Sequence, residues 1–484
     1  MPILNLFCDG SALDVIFKPD EPLANFIDDC VRADCQYCDC QTAGVGENSV
    51  DSSLRVLVLG GYGLIGREIV EELTKGGCSV TALGRSARAA QTGLPSTNWI
   101  ISNLARLNQP ALWRPHLAGI DAIVNASGAL QSGGADNLEA TQQDAIKALI
   151  VACEQNGVRT FVQISAPGAL AGAGTEFLRT KGLADQALRE SGLNWVILKP
   201  GVVIAANAYG GSSLVRMIAG CPLVLPLLLP KARLQTVDVR DVTSAVAKCL
   251  REGKLARSEF DLVAPEVHTL EEVVLHFRRW LGFPAPIRII RFPCWSGYAV
   301  ARLADVAGQL GWRPPMRTTA IRVLENGVTG DSTRWTLATG MVLRSLPETL
   351  ARLPSTRQER VYSRSQLLFP LLVVSLSLFW IASGAVGLWQ HSAAAQVIAS
   401  QIGAPLASLA VSGGGLLDIA IGLGLIVRRT FRAACLASIG VASLYTLAGT
   451  ILRPDLWADP LGPFVKIIPA IMLAAALAAM WEDR

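Results

Sequence analysis

From Leu54 to about residue 350 the chain alternates short apolar runs with amphipathic stretches, and beyond residue 365 apolar runs dominate. The first unit, RVLVLGGYGLIGREIVEELTKGGCSVTALGR over residues 55–85, predicts a strand, a glycine-rich turn, an amphipathic helix and a second strand. The pattern recurs downstream. DAIVNASGA (121–129) predicts a buried strand ending in small residues, ATQQDAIKALIVACEQNG (140–157) a helix, and VRTFVQISAPGA (158–169) and LNWVILKPGVVI (193–204) two further strands. Such alternation predicts a Rossmann-type α/β domain: a doubly wound parallel sheet that binds ligands above the carboxyl ends of its strands. Later, the segments 367–389, 404–427, 433–452 and 462–481 predict an all-α four-helix transmembrane bundle. The first is 23 residues without a charge, enough to cross a hydrocarbon core of about 30 Å. The others are rich in Ala, Gly and Ser, which lets helix backbones approach closely in lipid.

These patterns divide the chain into a leader (1–53), a nucleotide-binding domain with a small C-terminal lobe (54–350), a basic linker (351–365) and a membrane domain (366–484). Composition agrees with a membrane protein: of 484 residues 51% are hydrophobic, and the mean hydropathy is +0.38. A net charge of +4 gives no basis for a nucleic-acid partner. No signal peptide is expected, since Asp9, Asp14 and Asp20 interrupt the opening residues. Among eleven cysteines, Cys30, Cys35, Cys38 and Cys40 fall close together in the leader. Part of that spacing matches a plant-type iron–sulfur ligand set, but no distant fourth ligand or glycine-rich cluster loop accompanies it. No metal is therefore expected, and the leader is read as poorly ordered.

Gly60, Gly63 and Gly66 sit between a predicted strand and helix, the context in which a G-x-x-G-x-x-G pattern signifies dinucleotide binding. Gly60 permits the tight turn, Gly63 lets the backbone approach a pyrophosphate, and Gly66 allows close helix–sheet packing. The second strand ends in Gly84, Arg85 and Ser86, with Arg88 nearby, where an NAD-preferring site usually carries Asp or Glu. A guanidinium and a hydroxyl suit a 2′-phosphate, so NADP(H) is preferred over NAD(H); the alternative is a solvated loop arginine. Ser165 stands at a strand end, and Lys181 follows Phe177 by one helical turn. Either residue also has a plainer reading, as a strand-end hydroxyl or a solvated helix lysine. Asp238 and Asp241 are read as helix caps.

Together GGYGLIG, NASG (125–128), Ser165, Lys181, KPGVV (199–203) and QTVDVRDVTSAV (235–246) resemble the extended and atypical short-chain dehydrogenases/reductases. Within that superfamily, TLEEVVLHFRRWLGFPAP (269–286) resembles the small lobe of the group containing the 39-kDa-type accessory subunit of respiratory complex I. The resemblance covers about residues 54–350. It implies that Gly60, Tyr62, Gly63, Leu64, Ile65 and Gly66 cradle the pyrophosphate and that Arg85 and Ser86 meet the adenosine end. It implies too that Ala126, Ser127 and Gly128 line the nicotinamide-side ribose, and that Pro200, Gly201 and Val203 contact the nicotinamide. Ser165 would orient a substrate carbonyl and Lys181 would hold ribose hydroxyls. Phe177 departs from the family pattern: it replaces the tyrosine that protonates the carbonyl oxygen.

Arg357, Arg360 and Arg364 precede the first span, and Arg428, Arg429 and Arg432 join the second to the third. The positive-inside rule then puts the nucleotide domain in the cytoplasm and the spans in the inner (cytoplasmic) membrane. Asp418, inside the second span, is either a functional carboxyl or an acceptor for hydroxyls of a neighbouring helix. GGGLLDIAIGLGL (413–425) and YTLAGTILRPDLWADPLGPFVKIIPAIM (445–472), with Trp389 and His391, resemble the DoxX-like membrane family over about residues 365–482. That family's link to quinone oxidation implies a quinone or respiratory-chain partner. Two functions follow: an oxidoreductase serving a quinone or lipid-soluble substrate, or a non-catalytic NADPH-binding assembly or sensing protein. The sequence assigns no oligomeric state.

Overall fold

The computed structural model describes residues 4–8, 11–15, 53–133, 137–460 and 462–481. The chain divides into two units, Met1–Ser52 and Ser53–Arg484. In the first, strands β1 (Leu4–Cys8) and β2 (Ser11–Val15) pair antiparallel. The cysteine cluster lies outside the described residues, as does the rest of the leader expected to be poorly ordered, apart from these two strands.

The second unit begins with β3 (Arg55–Leu59), α1 (Leu64–Lys75), β4 (Ser79–Gly84), α2 (Ala87–Gly93), β5 (Asn98–Ile101), α3 (Pro110–Leu117) and β6 (Ala122–Asn125). It continues through α4 (Ala145–Asn156), β7 (Thr160–Ile164), α5 (Glu176–Arg189), β8 (Asn194–Pro200), β9 (Val202–Ile204), α6 (Gly211–Ala219), β10 (Val224–Leu228) and β11 (Arg233–Leu234). Next come β12 (Thr236–Asp238), α7 (Val239–Arg251), β13 (Ser258–Leu262), β14 (His268–Thr269), α8 (Leu270–Trp280), β15 (Arg288–Phe292), α9 (Cys294–Gln309) and α10 (Thr318–Asn326). Seven strands form one parallel sheet in the order β13-β8-β7-β6-β3-β4-β5. The order reverses between β3 and β6, which opens the crevice where doubly wound folds bind ligands. Both faces are covered, which explains the unbroken apolar run of β3. Val56 and Val58 join Ile69, Leu73 and Val246 in one core; Leu57 and Leu59 join Trp113, Leu149 and Leu188 in another.

The predicted small lobe is built on β10 paired parallel with β15 and on α8 to α10. Buried Arg278 of α8 holds it shut, donating to the carbonyls of Ala219 (2.9 Å), Cys221 (2.6 Å) and Pro284 (2.6 Å). Two further helices, α11 (Thr333–Thr339) and α12 (Leu346–Arg352), lead to the membrane region. Asp238 caps α7 as expected, accepting from the Arg240 amide at 2.9 Å. Asp241 does not cap; it takes the Arg344 amide at 2.9 Å and the Arg344 guanidinium at 2.7 Å, tying α7 to the segment before α12.

The membrane region comprises α13 (Arg357–Trp389), α14 (His391–Ile402), α15 (Ala404–Ile426), α16 (Phe431–Leu452) and α17 (Pro463–Ala479). Among the described residues three helices, α13, α15 and α16, are long and apolar enough to cross a membrane, and α17 is a shorter apolar helix. The short helix α14 occupies what the hydropathy pattern leaves as a loop, because its Ala-rich stretch (391–402) carries no charge to mark it as exposed. Residues 357–365, within the basic stretch before the first span, are the opening turns of α13, started by a Thr356–Glu359 capping box. A Cβ on Gly384 would lie 2.3 Å from the Gly415 carbonyl, so α13 and α15 meet backbone to backbone. Across that contact Asp418 accepts from Ser383 Oγ (2.9 Å) and, from α16, the Tyr445 hydroxyl (3.0 Å). The nucleotide domain docks on the bundle through Trp312, whose indole N–H donates to the Ile426 carbonyl (2.6 Å) and whose ring meets Phe369, Phe431 and Trp481.

Candidate functional site

At the crevice, β3 turns into α1 through Gly60, Gly61, Tyr62 and Gly63. Gly60 has φ +73° and sits so close to the β6 loop that a Cβ would lie 2.9 Å from Ser127 Cα. Gly66 packs on the turn itself: its Cβ would be 2.1 Å from the Gly60 carbonyl oxygen. Gly63 is the N-cap of α1, with no side-chain cap and no acidic residue in the first turn formed with Leu64 and Ile65. An uncapped helix start beside glycine backbone is what a bound pyrophosphate requires, so these residues fit a dinucleotide.

Tyr62 reaches elsewhere than the pyrophosphate position its place in the turn suggests. Its ring lies on Gly84, where a Cβ would come within 2.3 Å, and tilts against Trp99 at 5.9 Å. Its hydroxyl accepts from the backbone amides of Arg85 (3.0 Å) and Ser86 (3.3 Å), so Tyr62 lies over the carboxyl end of β4. Ser86 caps α2, and the Arg85 and Arg88 side chains are exposed beside it.

The opposite half of the crevice is a buried polar network. Asn125, at the end of β6, accepts from the Ser127 amide (3.0 Å) and hydroxyl (2.5 Å) and donates to Gln163 Oε1 (2.8 Å), which fixes the Ala126–Ser127–Gly128 turn. Gln142 stands in a π-helical turn (Glu139–Asp144) before α4, donates to the Ala129 carbonyl (2.6 Å) and accepts from Thr180 (3.3 Å). A wide turn at a functional crevice is a recurrent use of π geometry. Beside Gly128 lies the Lys181 ammonium, 3.6 Å from where a Cβ on that glycine would stand, donating to the Ile164 carbonyl at 2.8 Å. Lys181 is buried, which pulls its pKa down to about 8 against the opposing pull of Asp185. The Phe177 ring is 5.8 Å from Lys181 Nζ.

Asp185, one turn beyond Lys181, is the member of the site that sequence reasoning missed. It is fully buried, accepts from Ser165 Oγ, and leaves its second oxygen without a hydrogen-bond partner. Burial raises its pKa, while Ser165 and Lys181 pull it back. A charged Asp185 consumes the Ser165 proton; a protonated Asp185 donates to Ser165 and frees that hydroxyl for a ligand. The signal in the sequence is an acidic residue on the apolar side of α5, with Leu178, Ala184 and Leu188 buried around it. Pro200, Gly201 and Val203 lie at the junction of β8 and β9, where Gly201 passes so near the Gln235 carbonyl that a Cβ would lie 2.5 Å away. Tyr209 is half exposed at the start of α6. From the small lobe, Arg317 donates to the Ser132 carbonyl (2.9 Å), and Ser132 in turn donates to Glu176 (2.7 Å), the residue before Phe177.

Comparison with known proteins accords with this geometry. Residues 60–217 match the NAD(P)H-binding family model, and residues 377–475 match the DoxX-like family. The chain joins an NAD(P)H-binding domain to a DoxX-like domain. Its relatives include mitochondrial NADH dehydrogenase [ubiquinone] 1 alpha subcomplex subunit 9 of Arabidopsis thaliana, 24% identical over 50% of this chain and 64% of that protein. Xenophilus azovorans NAD(P)H azoreductase is 24% identical over 47% of this chain and 74% of its own length. Photosystem II assembly factor Ycf39 of Synechocystis is 26% identical over 49% and 73%. The chain thus spans under two thirds of the complex I subunit and about three quarters of the other two. With a DoxX-like domain and three helices long and apolar enough to cross a membrane among its described residues, the chain is a membrane protein.

Proposed function

We propose that this chain is a membrane-anchored NAD(P)H oxidoreductase that reduces a lipid-soluble acceptor of the quinone type. The observation that carries the reading is Lys181, buried beside Gly128 in the crevice of a domain that is docked through Trp312 onto membrane helices. When bound, the reduced nicotinamide supplies a hydride. Gly60, Gly63 and Gly66 with the first amides of α1 hold the diphosphate, and Tyr62, Arg85 and Ser86 meet the adenosine end, where the guanidinium favours NADP(H). Ala126, Ser127 and Gly128 with Pro200, Gly201 and Val203 position the nicotinamide half, and Lys181 grips its ribose.

Phe177 selects the acceptor. An isolated carbonyl becomes a strongly basic alkoxide on reduction and needs a proton in the transition state. A quinone spreads the arriving charge over an aromatic ring and takes its proton afterwards from water or from Lys181, whose pKa of about 8 suits a donor near neutrality. Arg357, Arg360 and Arg364 before the first span, and the Arg428–Arg432 connection, orient the nucleotide domain to the cytoplasmic side of an inner membrane. Likeness to a complex I subunit supports a respiratory-chain setting.

A second reading, a non-catalytic NADPH-holding assembly protein, is favoured by one observation: Ser165 donates its hydroxyl proton to Asp185, so the hydroxyl that would orient a carbonyl is engaged internally. Purified in detergent and mixed with a water-soluble quinone, the protein should consume the reduced-nicotinamide absorbance, and Lys181→Ala should slow this at least about tenfold. Tightly retained NADPH that is never oxidised in the presence of quinone gives the site to the second reading. Phe177→Tyr is expected to add slow carbonyl reduction, since it places a phenol one turn from a lysine already near neutrality; assay with an aromatic aldehyde checks it.

A further inference from the structure

The opening turns of α13 hold Arg357, Arg360, Val361 and Arg364 against the Gly282–Phe283–Pro284 loop, and the two surfaces enclose a cavity of about 560 Å³. Nothing in the helix's own electrostatics accounts for three arginines here. Cations near a helix N-terminus oppose the macrodipole. None of the three forms an ion pair with a carboxylate among the described residues. The acidic side chain within this stretch, Glu359, is spent on the capping box with Thr356, and Arg216 faces its charge. The loop shapes the arginines into a receptor instead. The Arg364 guanidinium stacks on the Phe283 ring at 4.7 Å, with Arg278 also at that ring at 5.8 Å. Gly282 leaves room for Arg360, whose Nη1 would lie 3.8 Å from a Cβ at that position. Planar guanidinium forks held in this way match the oxygens of a phosphate diester.

We propose that this pocket is a headgroup site for an anionic phospholipid. The helix itself argues for a lipid over a free phosphate. At about 100° per residue, Arg357, Arg360, Val361, Arg364, Leu368 and Leu371 share one sector of α13 about 100° wide. Val361, Leu368 and Leu371 are 56%, 49% and 61% exposed, and the uncharged span begins at Gln366. From Arg364 to Leu371 is about 10 Å along the axis. A phosphate seated on the arginines therefore stands at headgroup depth, and its acyl chain runs down an exposed apolar stripe of the same helix. Such basic pockets at the start of a span are where anionic headgroups bind.

The test uses the full-length protein in detergent with phosphatidylglycerol and phosphatidylcholine supplied in equal amounts, and native mass spectrometry to count lipid retained. Wild-type protein should keep phosphatidylglycerol at least about tenfold better than phosphatidylcholine. The triple variant R357Q/R360Q/R364Q should lose that preference, while Arg114→Gln, an exposed arginine on α3, keeps it. Circular dichroism and dinucleotide retention report whether the triple variant is folded; if it is not, the wild-type lipid preference and its displacement by inorganic phosphate still decide. Equal retention of the two lipids by wild type, an undiminished preference in the folded variant, or displacement by millimolar inorganic phosphate would each overturn the proposal, the last by making the pocket a soluble-phosphate site.

Discussion

Gly66→Ala is expected to abolish dinucleotide retention and to destabilise the nucleotide domain by about 3 kcal/mol, the upper range for overpacking a rigid contact. The added methyl would lie 2.1 Å from the Gly60 carbonyl oxygen, 2.8 Å from its carbon and 3.2 Å from Gly61 Cα. All three are backbone atoms, so no side chain can swing aside. Either α1 lifts from the sheet, which uncovers Ile69, Val70 and Leu73, or the turn opens and Gly60 leaves its φ of +73°. Both outcomes move the first amides of α1 away from the crevice. Gly63→Ala supplies the internal contrast: its Cβ meets the Gly60 oxygen alone, at 3.1 Å, and should cost well under half as much. Thermal melts with quantitation of co-purified nucleotide check both, and a Gly66→Ala protein that retains its nucleotide sinks the assignment of this turn.

Lys181→Met should weaken NAD(P)H binding by about 10- to 100-fold, the worth of one charged hydrogen-bonding group, and should remove a distinctive pH dependence. Lysine ordinarily titrates at 10.5, and burial lowers Lys181 to about 8. Between those two values the unfolded chain binds more protons than the folded one, so stability rises with pH across that window. The rise contributed by this group is up to about 3 kcal/mol. Subtracting the Lys181→Met stability curve from that of wild type isolates it from the other titrating groups. A flat difference from pH 8 to pH 10.5 would show that burial does not lower the Lys181 pKa. The same experiment reports on Asp185, since loss of the ammonium removes the charge that restrains its raised pKa.

Much of this protein is legible along the chain because it is local. The β3–turn–α1 unit is read from an apolar run, three glycines and a 3.6-residue period, all within twenty residues of one another. The membrane helices are legible for the same reason, since span length and absence of charge are properties of a segment. Phe177, four residues before Lys181, is legible in the same way, as a benzene ring where the resemblance implies a tyrosine.

What required the tertiary structure is every relation between groups far apart in sequence. Ser165 and Asp185 are twenty residues apart and meet because β7 and α5 pack together, and the periodicity of α5 carries no mark of that bond. Gln142 reaches the Gly128 turn only because a π-helical turn widens the helix start, a backbone detail without a residue signature. Tyr62 belongs by sequence to the pyrophosphate turn, yet its long side chain carries its hydroxyl to the amides of Arg85 and Ser86. The Arg357–Arg364 pocket exists only where the Phe283 loop folds back on α13. The sequence alone determines that a nucleotide fold precedes membrane helices, because periodicity and turn chemistry act over a few residues. Folding decides which protons, charges and rings confront one another, because those contacts depend on side-chain reach and on packing between elements that the chain brings together from a distance.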